Sequence, residues 1–190
     1  MTTKQFYNEL NYVNHTQASR LFYANLVLKQ PDLLPKLLEI TFMVNDKTST
    51  RAAWVLEYVC LKNLELLLPY LDTFTLNIKK VHLDAAVRPV IKICELLAKA
   101  YFGKADHLIK SNLHETHKER IIETCFDVLI NDEKVAPKAF AMSTLFLFGK
   151  QYDWIYPELT QILNRDFPIQ SAAYKARAKQ IIAKIKKTKN

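Results

Sequence analysis

A chain of 190 residues that is 49% hydrophobic and 24% charged can bury a substantial core and is too apolar to stay disordered. Two glycines in the whole chain are too few for the many tight turns of a β-sandwich or barrel, and without a GxxxxGKS/T or GxGxxG string there is no loop to cradle phosphate. The net charge of +8 is lopsided: residues 167–190 hold seven Lys/Arg and no Asp/Glu, which leaves 20 basic and 19 acidic residues for positions 1–166. On that count the body is neutral, and the basicity belongs to a C-terminal helix and tail, where cations also complement the helix dipole.

Apolar residues recur at i, i+3, i+4 and i+7 along nearly the whole chain, and no strand-like alternation persists, so every element is predicted helical. The first helices fall over 3–12 and 16–29, the second carrying Arg20 and Tyr23. A third, 31–45, opens at Pro31–Asp32. A fourth, 49–62, opens at Ser49 and sets Arg51, Trp54, Tyr58 and Lys62 at i, i+3, i+7 and i+11, one stripe. After 64–76, the helix over 82–101 brings Arg88, Lys92, Glu95 and Lys99 and stops before Gly103. The segment 105–113 fits no helix pair and reads as an insertion. Thr116 with Glu119 reads as a capping box for 117–131, Gly149 ends 135–149, and 153–164 precedes a last helix over 169–187. That helix and its tail hold Lys175, Lys179, Lys184, Lys186, Lys187 and Lys189 beside an apolar stripe of Tyr174, Ala178, Ile181 and Ile185. Connections of two to seven residues predict antiparallel neighbours.

Cys60, Cys94 and Cys125 each sit inside an apolar helical run without a CxxC spacing. They read as reduced core residues of a cytoplasmic protein. The start, MTTKQFYNEL, lacks the basic and apolar regions of a signal peptide, and no apolar run approaches the length of a membrane span.

The chain also matches itself. FMVNDKTSTRAAWVLEYV (42–59) aligns with VLINDEKVAPKAFAMSTLFL (128–147), placing Asn45–Asp46 on Asn131–Asp132 and Arg51 on Lys138. LLPKL (33–37), LLPYL (67–71) and IYPEL (155–159) share Pro-x-Leu, and YFGKAD (101–106) parallels LFGKQYD (147–153). A first helix with Pro-x-Leu, a short turn carrying Asp, and a second helix opening Arg-Ala-Ala resemble the HEAT repeat. The resemblance covers about five antiparallel helix pairs, from residue 3 to residue 187. It implies one all-α domain over 1–190, a right-handed α-α superhelix with the second helices lining its concave side. It also implies a hydrogen-bonded ladder pairing Asp46 with Arg51 and Asp132 with Lys138, with Arg51 a structural strut. Ala52 and Ala53 are then small because helices approach closely there.

Little in the sequence points to catalysis. His107, His114 and His117 lie in HLIKSNLHETHKER, where His-Glu-Thr-His is one residue short of HExxH, so this stretch reads as a polar helix start and no metal is expected. No serine occupies a GxSxG elbow, and nothing matches the signature loop of the fumarase and adenylosuccinate lyase type. No cofactor and no small-molecule substrate is evident.

Three functional expectations follow. The leading one is a non-enzymatic HEAT-like scaffold that binds another protein, through a concave basic and aromatic surface of Arg20, Tyr23, Arg51, Trp54, Tyr58, Lys62, Arg88 and Lys92; the plainer reading of Trp54 and Tyr58 is inter-repeat core. The alternative is nucleic-acid binding, by resemblance to bacterial HEAT-like DNA glycosylases, with Trp54, Trp154, Asp84 and Arg88 as the nominated residues. The third is a basic amphipathic C-terminal helix (169–190) that touches anionic lipid or nucleic acid, set against its reading as the capping helix of the array.

Overall fold

Several helix starts follow from side chains that accept the orphan amides of the first turn. The computed structural model describes residues 1–104 and 107–188, and among these it has eleven α-helices, three short 3-10 segments and no strand. Lys189 of the basic tail and the side chain of His107 lie outside the described residues. Helix α1 (Thr3–Leu10) begins with a capping box between Thr2 and Gln5, and α2 (Gln17–Lys29) follows Thr16, whose hydroxyl accepts from the Ser19 amide. The 3-10 turn Pro31–Leu33 leads into α3 (Leu34–Thr41). Helix α4 (Lys47–Lys62) begins two residues ahead of the predicted Ser49, because Asp46 is its N-cap and accepts from the Thr48 amide at 2.7 Å.

The helix predicted over 64–76 is divided into a 3-10 segment, Leu64–Tyr70, and α5 (Leu71–Asn77). Pro69 lies inside the 3-10 segment, where its missing N–H costs less than it would in an α-helix interior. A further 3-10 turn (Ile78–Lys80) precedes α6 (Asp84–Phe102), which is followed by α7 (His107–Asn112).

Helix α8 (Glu115–Ile130) also starts early, and its cap is not the predicted Thr116–Glu119 pair. His114 is the N-cap, and the ring Nδ1 of His117 accepts the His114 amide at 3.2 Å. A neutral imidazole nitrogen is an acceptor like a hydroxyl, which the usual capping residues do not anticipate. Helices α9 (Val135–Phe148), α10 (Ile155–Asp166) and α11 (Ala172–Thr188) complete the chain. Gly103 and Gly149 are the C-caps of α6 and α9, but neither takes a positive φ. Gly149 is required by proximity instead: a Cβ there would lie 2.1 Å from Cε1 of Tyr156.

Helices α2, α4, α6, α9 and α11 form one continuous row, each packed on the next. Alanines make that spacing possible: Ala52 and Ala53 of α4, Ala86 and Ala98 of α6, Ala141 of α9 and Ala178 of α11 are all buried. Helices α1, α3, α8 and α10 lie against this row, and α5 is joined to it through the 3-10 segment on α4. Among these first-row helices the main mutual packing is α1 with α3 and α5 with α8. The core between the rows is made by Phe6, Leu37, Leu56, Phe74, Phe148 and Leu163, all without exposure. The three cysteines are free and buried within it; burial pushes all three thiols up, Cys125 to about 12, so none is a ready nucleophile. Among the described residues no helix is long and apolar enough to cross a membrane.

Candidate binding surface on the second helix row

The row arrangement sorts the charges. Helices α2, α4, α6, α9 and α11 together carry 15 Lys/Arg against 3 Asp/Glu, whereas α1, α3, α5, α8 and α10 carry 5 against 9. Even without α11 the second row holds 9 basic and 3 acidic residues. The neutrality of positions 1–166 is therefore a sum over two oppositely charged rows, and basicity is not confined to the C-terminal helix as the linear count suggested.

At the N-terminal end of the row, the Arg20 guanidinium lies over the Trp54 ring, 4.6 Å from its centroid. Trp54 Nε1 donates to the Ala85 carbonyl at 2.8 Å, tying α4 to the first turn of α6. Both residues are half-buried. Tyr23 is only 8% exposed and its ring packs edge-on against Phe22. Arg51 turns toward α1, its Nη1 donating to Asn11 Oδ1 at 3.1 Å, an oxygen that also accepts from Thr48 Oγ1 at 2.9 Å. Asp46 accepts from Tyr7 Oη at 2.7 Å, and these bonds, with the Thr48 amide's foremost, hold its carboxyl below the usual range. Arg51 thus ties α4 to the end of α1, with Asn11 as its hydrogen-bond partner in place of the expected Asp46. At the corresponding site Asp132 is exposed and Lys138 is buried, and among the described residues the two are not paired. Tyr58 packs half-buried against the core and Lys62 is exposed. The predicted stripe is therefore divided among three environments.

The centre of the row rests on two carboxylates buried beneath cations. Glu57, 4% exposed, accepts both guanidinium arms of Arg88, at 3.1 and 2.6 Å. Glu95, 2% exposed, accepts from Lys92 at 2.6 Å and is paired with Lys99 at 2.9 Å. Burial pushes the Glu95 carboxyl up, but the two lysines more than offset it and hold it below the ordinary range. Lys92 also sits over the Phe140 ring at 4.5 Å, so α9 shares in the cluster.

At the C-terminal end, α6, α9 and α11 enclose a depression of about 190 Å³ with Lys99, Arg177 and Lys184 around it and Phe146, Leu147 and Ile181 beneath. Lys184 lies over the Phe146 ring at 5.8 Å. A second depression, about 320 Å³ between α10 and α11, is lined by Asn164, Phe167, Lys179, Ile182, Ala183 and Lys186; Lys175 and Lys179 both lie over the Phe167 ring. Lys186 and Lys187 are exposed. The apolar stripe Tyr174, Ala178, Ile181 and Ile185 is buried, so α11 spends its apolar face on the rest of the chain.

Arg177 was not singled out from the sequence, although Arg177, Ile181 and Lys184 repeat at i, i+4 and i+7. Glu95 was named with the bases of its helix, and Glu57, also missed, left a plainer trace as a lone acid amid apolar helical neighbours.

Of the residues nominated by analogy with glycosylases, Trp54, Asp84 and Arg88 meet at the α4–α6 boundary with their polar groups already engaged. Asp84 pairs with Lys134 at 2.8 Å. Trp154 lies instead beside the first row, stacked on Phe126 of α8 and 55% exposed. The imidazoles of His114 and His117 are tilted neighbours, and His117 Nε2 bonds Asp72 Oδ1 at 3.1 Å, an oxygen shared with Arg120. Because His117 Nδ1 accepts the His114 amide, Nε2 carries the proton and donates to Asp72. Among the described residues no group of three His, Cys, Asp or Glu is placed to hold a metal. Buried Lys118 lies over the rings of Tyr101 and Tyr152 and is paired with Glu115 at 2.8 Å. Burial and the bond to Glu115 push Tyr152 up to about 12, a packed ammonium site that joins α6, α8 and the α9–α10 connection.

Comparison of the chain with protein-family models, with curated proteins and with solved structures found no match.

Proposed function

We propose that the chain is a non-enzymatic, HEAT-like binding module whose second helix row receives the acidic surface of another protein. In this reading the row of α2, α4, α6, α9 and α11 is the concave side of a right-handed α-α superhelix, and the buried free cysteines suit a cytoplasmic setting. The observation that carries it is the division of charge between the rows, 15 basic to 3 acidic against 5 to 9. Opposed fields of this kind steer an oppositely charged partner to one face.

Two features favour a protein over a nucleic acid. The cations alternate with apolar floors, Phe146, Leu147 and Ile181 in one depression and Phe167 and Ile182 in the other. A protein surface supplies both carboxylates and apolar side chains, whereas a duplex backbone supplies phosphates. Glu57 and Glu95 also offset part of the charge of Arg88, Lys92 and Lys99, which weakens a phosphate track. The nucleic-acid reading rests on the same excess of cations.

The test is a fluorescence-anisotropy titration of the full chain with a short labelled acidic peptide and a short labelled duplex, each at low and physiological salt. Reversal of the exposed Lys62, Lys99, Lys179 and Lys184 to Glu is expected to weaken the peptide complex about tenfold or more. The first-row reversal Glu119→Lys/Glu123→Lys leaves it unchanged or stronger. Tighter binding of the duplex, with a steep salt slope removed by the second-row reversal, would replace this reading with the nucleic-acid one.

A further inference from the structure

We infer that the depression between α6, α9 and α11 is an anchor pocket for one apolar side chain of an acidic protein segment, the carboxylates on either side of that side chain pairing with Arg177 and Lys184. The inference rests on the reading of the second row given above and names the chemistry of its partner.

The depression is small. About 190 Å³ is below the roughly 300–1,000 Å³ of pockets that take a drug-sized molecule or cofactor, and it suits a single Leu, Met or Phe side chain. The floor is apolar in practice as well as in composition. Phe146, Leu147 and Ile181 form it, and the one hydroxyl among the lining residues, on Ser143, is spent on the Ala139 carbonyl at 3.0 Å. The buried carboxylate of Glu95 also lines the depression, and both of its oxygens are taken up by Lys92 and Lys99.

The rim has the opposite character, and its charges are unequally engaged. Lys99 is committed to Glu95 at 2.9 Å. Arg177 and Lys184 have no carboxylate within ion-pairing distance among the described residues, and Lys184 meets only the face of Phe146. Two uncommitted cations beside an apolar well complement a segment that presents carboxylates around one apolar residue. Buried Glu95 holds Lys92 and Lys99, and Lys92 is set over Phe140 of α9, so the depression is already formed in the unliganded chain. An anchor side chain therefore enters a preformed site and binds without ordering it first.

Fluorescence anisotropy on the full chain tests this with two labelled acidic peptides of Asp and Glu, one carrying a single central Phe and the other Ser in its place. The Phe peptide is expected to bind about tenfold tighter than the Ser peptide. Arg177→Glu/Lys184→Glu weakens both, the Phe peptide by at least about tenfold. Ser143→Phe, which fills the well and leaves the rim intact, brings the Phe peptide down to the affinity of the Ser peptide. Circular dichroism and a urea midpoint establish that each variant is folded. Should Ser143→Phe not fold, Leu147→Ala takes its place and lowers the affinity of the Phe peptide alone.

Equal binding of the two peptides, or a Phe preference that survives Ser143→Phe, overturns the anchor pocket. If that binding is still lost in the reversal of Lys62, Lys99, Lys179 and Lys184, the basic-row reading stands without the pocket. If neither peptide binds, both readings fall together.

Discussion

Helices α6 and α8 both carry several charged side chains, and the two rows use them differently. On α8, Glu119 and Glu123 are exposed and Asp127 is half-buried, and the pair Lys79–Glu123 at 3.2 Å is more than half exposed on both sides. Water screens such a pair, and its contribution is about 0–1 kcal/mol. On α6 the acid is underneath and the bases are above: Glu95 is buried and Lys99 is exposed. The difference lies in burial: the first-row acceptor Asp72 is exposed where His117 and Arg120 reach it, whereas Glu57 and Glu95 are buried. Buried alanines bring the second-row helices close enough for long side chains of one helix to reach the next, as Arg88 reaches Glu57 and Lys92 reaches Phe140. The consequence is a basic outer surface whose stability depends on two carboxylates held beneath their cations.

Glu95→Gln is the sharpest way to break this contrast. It leaves the ammonium of Lys92 beside Phe140 without a counter-charge, and a loss of about 3 kcal/mol in urea unfolding is expected. The pH response has the same origin. The Glu95 pKa is below its unfolded value, so its stabilising contribution is present above the ordinary Glu value of about 4.3 and is lost as pH falls through the lower folded value. Glu95→Gln removes that part of the acid-side decline. A decline of the same size in Glu95→Gln and wild type would show that other carboxylates carry it.

Gly149→Ala probes the joint between the rows, where α9 hands over to α10. The new Cβ meets the Tyr156 ring, and about 1–3 kcal/mol of destabilisation is expected from overpacking. An unchanged thermal midpoint would mean that Tyr156 moves aside freely.

Asp127 on the first row gives the opposite pH sign to Glu95. Burial, and then repulsion from Glu123, raise its pKa in the folded state. The folded protein therefore binds that proton more tightly than the unfolded chain, and Asp127 costs stability at neutral pH, a cost relieved as pH falls through the folded value. Asp127→Asn is expected to raise the unfolding midpoint modestly at neutral pH and to have less effect near pH 4. The smallest effect belongs to Glu123→Gln, within about 1 kcal/mol at neutral pH. A loss as large as that of Glu95→Gln would erase the distinction between the rows.

Much of the scaffold was legible in the sequence because the signals are local. The helical period identified the helices, and the apolar faces of Tyr174, Ala178, Ile181 and Ile185 or of Phe6 and Leu10 are buried as that period demands. Boundaries went astray where the local rule was incomplete: an imidazole capping α8, Asp46 starting α4 ahead of Ser49, and Pro69 dividing one predicted helix in two. The candidate surface was only partly legible. Arg88, Lys92, Glu95 and Lys184 were identified, but the burial of Glu95, the counter-charge Glu57 and Arg177 were not, and Tyr23 was placed on a surface although it is buried.

The sequence by itself determined that the chain is all helical, which face of each helix is apolar, and that its cysteines lie inside apolar runs, since each depends on contacts within three or four residues along one helix. Only the tertiary structure decided which charges share a face. Glu57 and Arg88 are 31 residues apart, and whether two such groups pair depends on the spacing and register of neighbouring helices, set by how buried alanines and aromatics pack. The same packing made a chain whose first 166 residues are almost neutral into one with a basic row and an acidic row, because a linear sum of charge carries no information about direction.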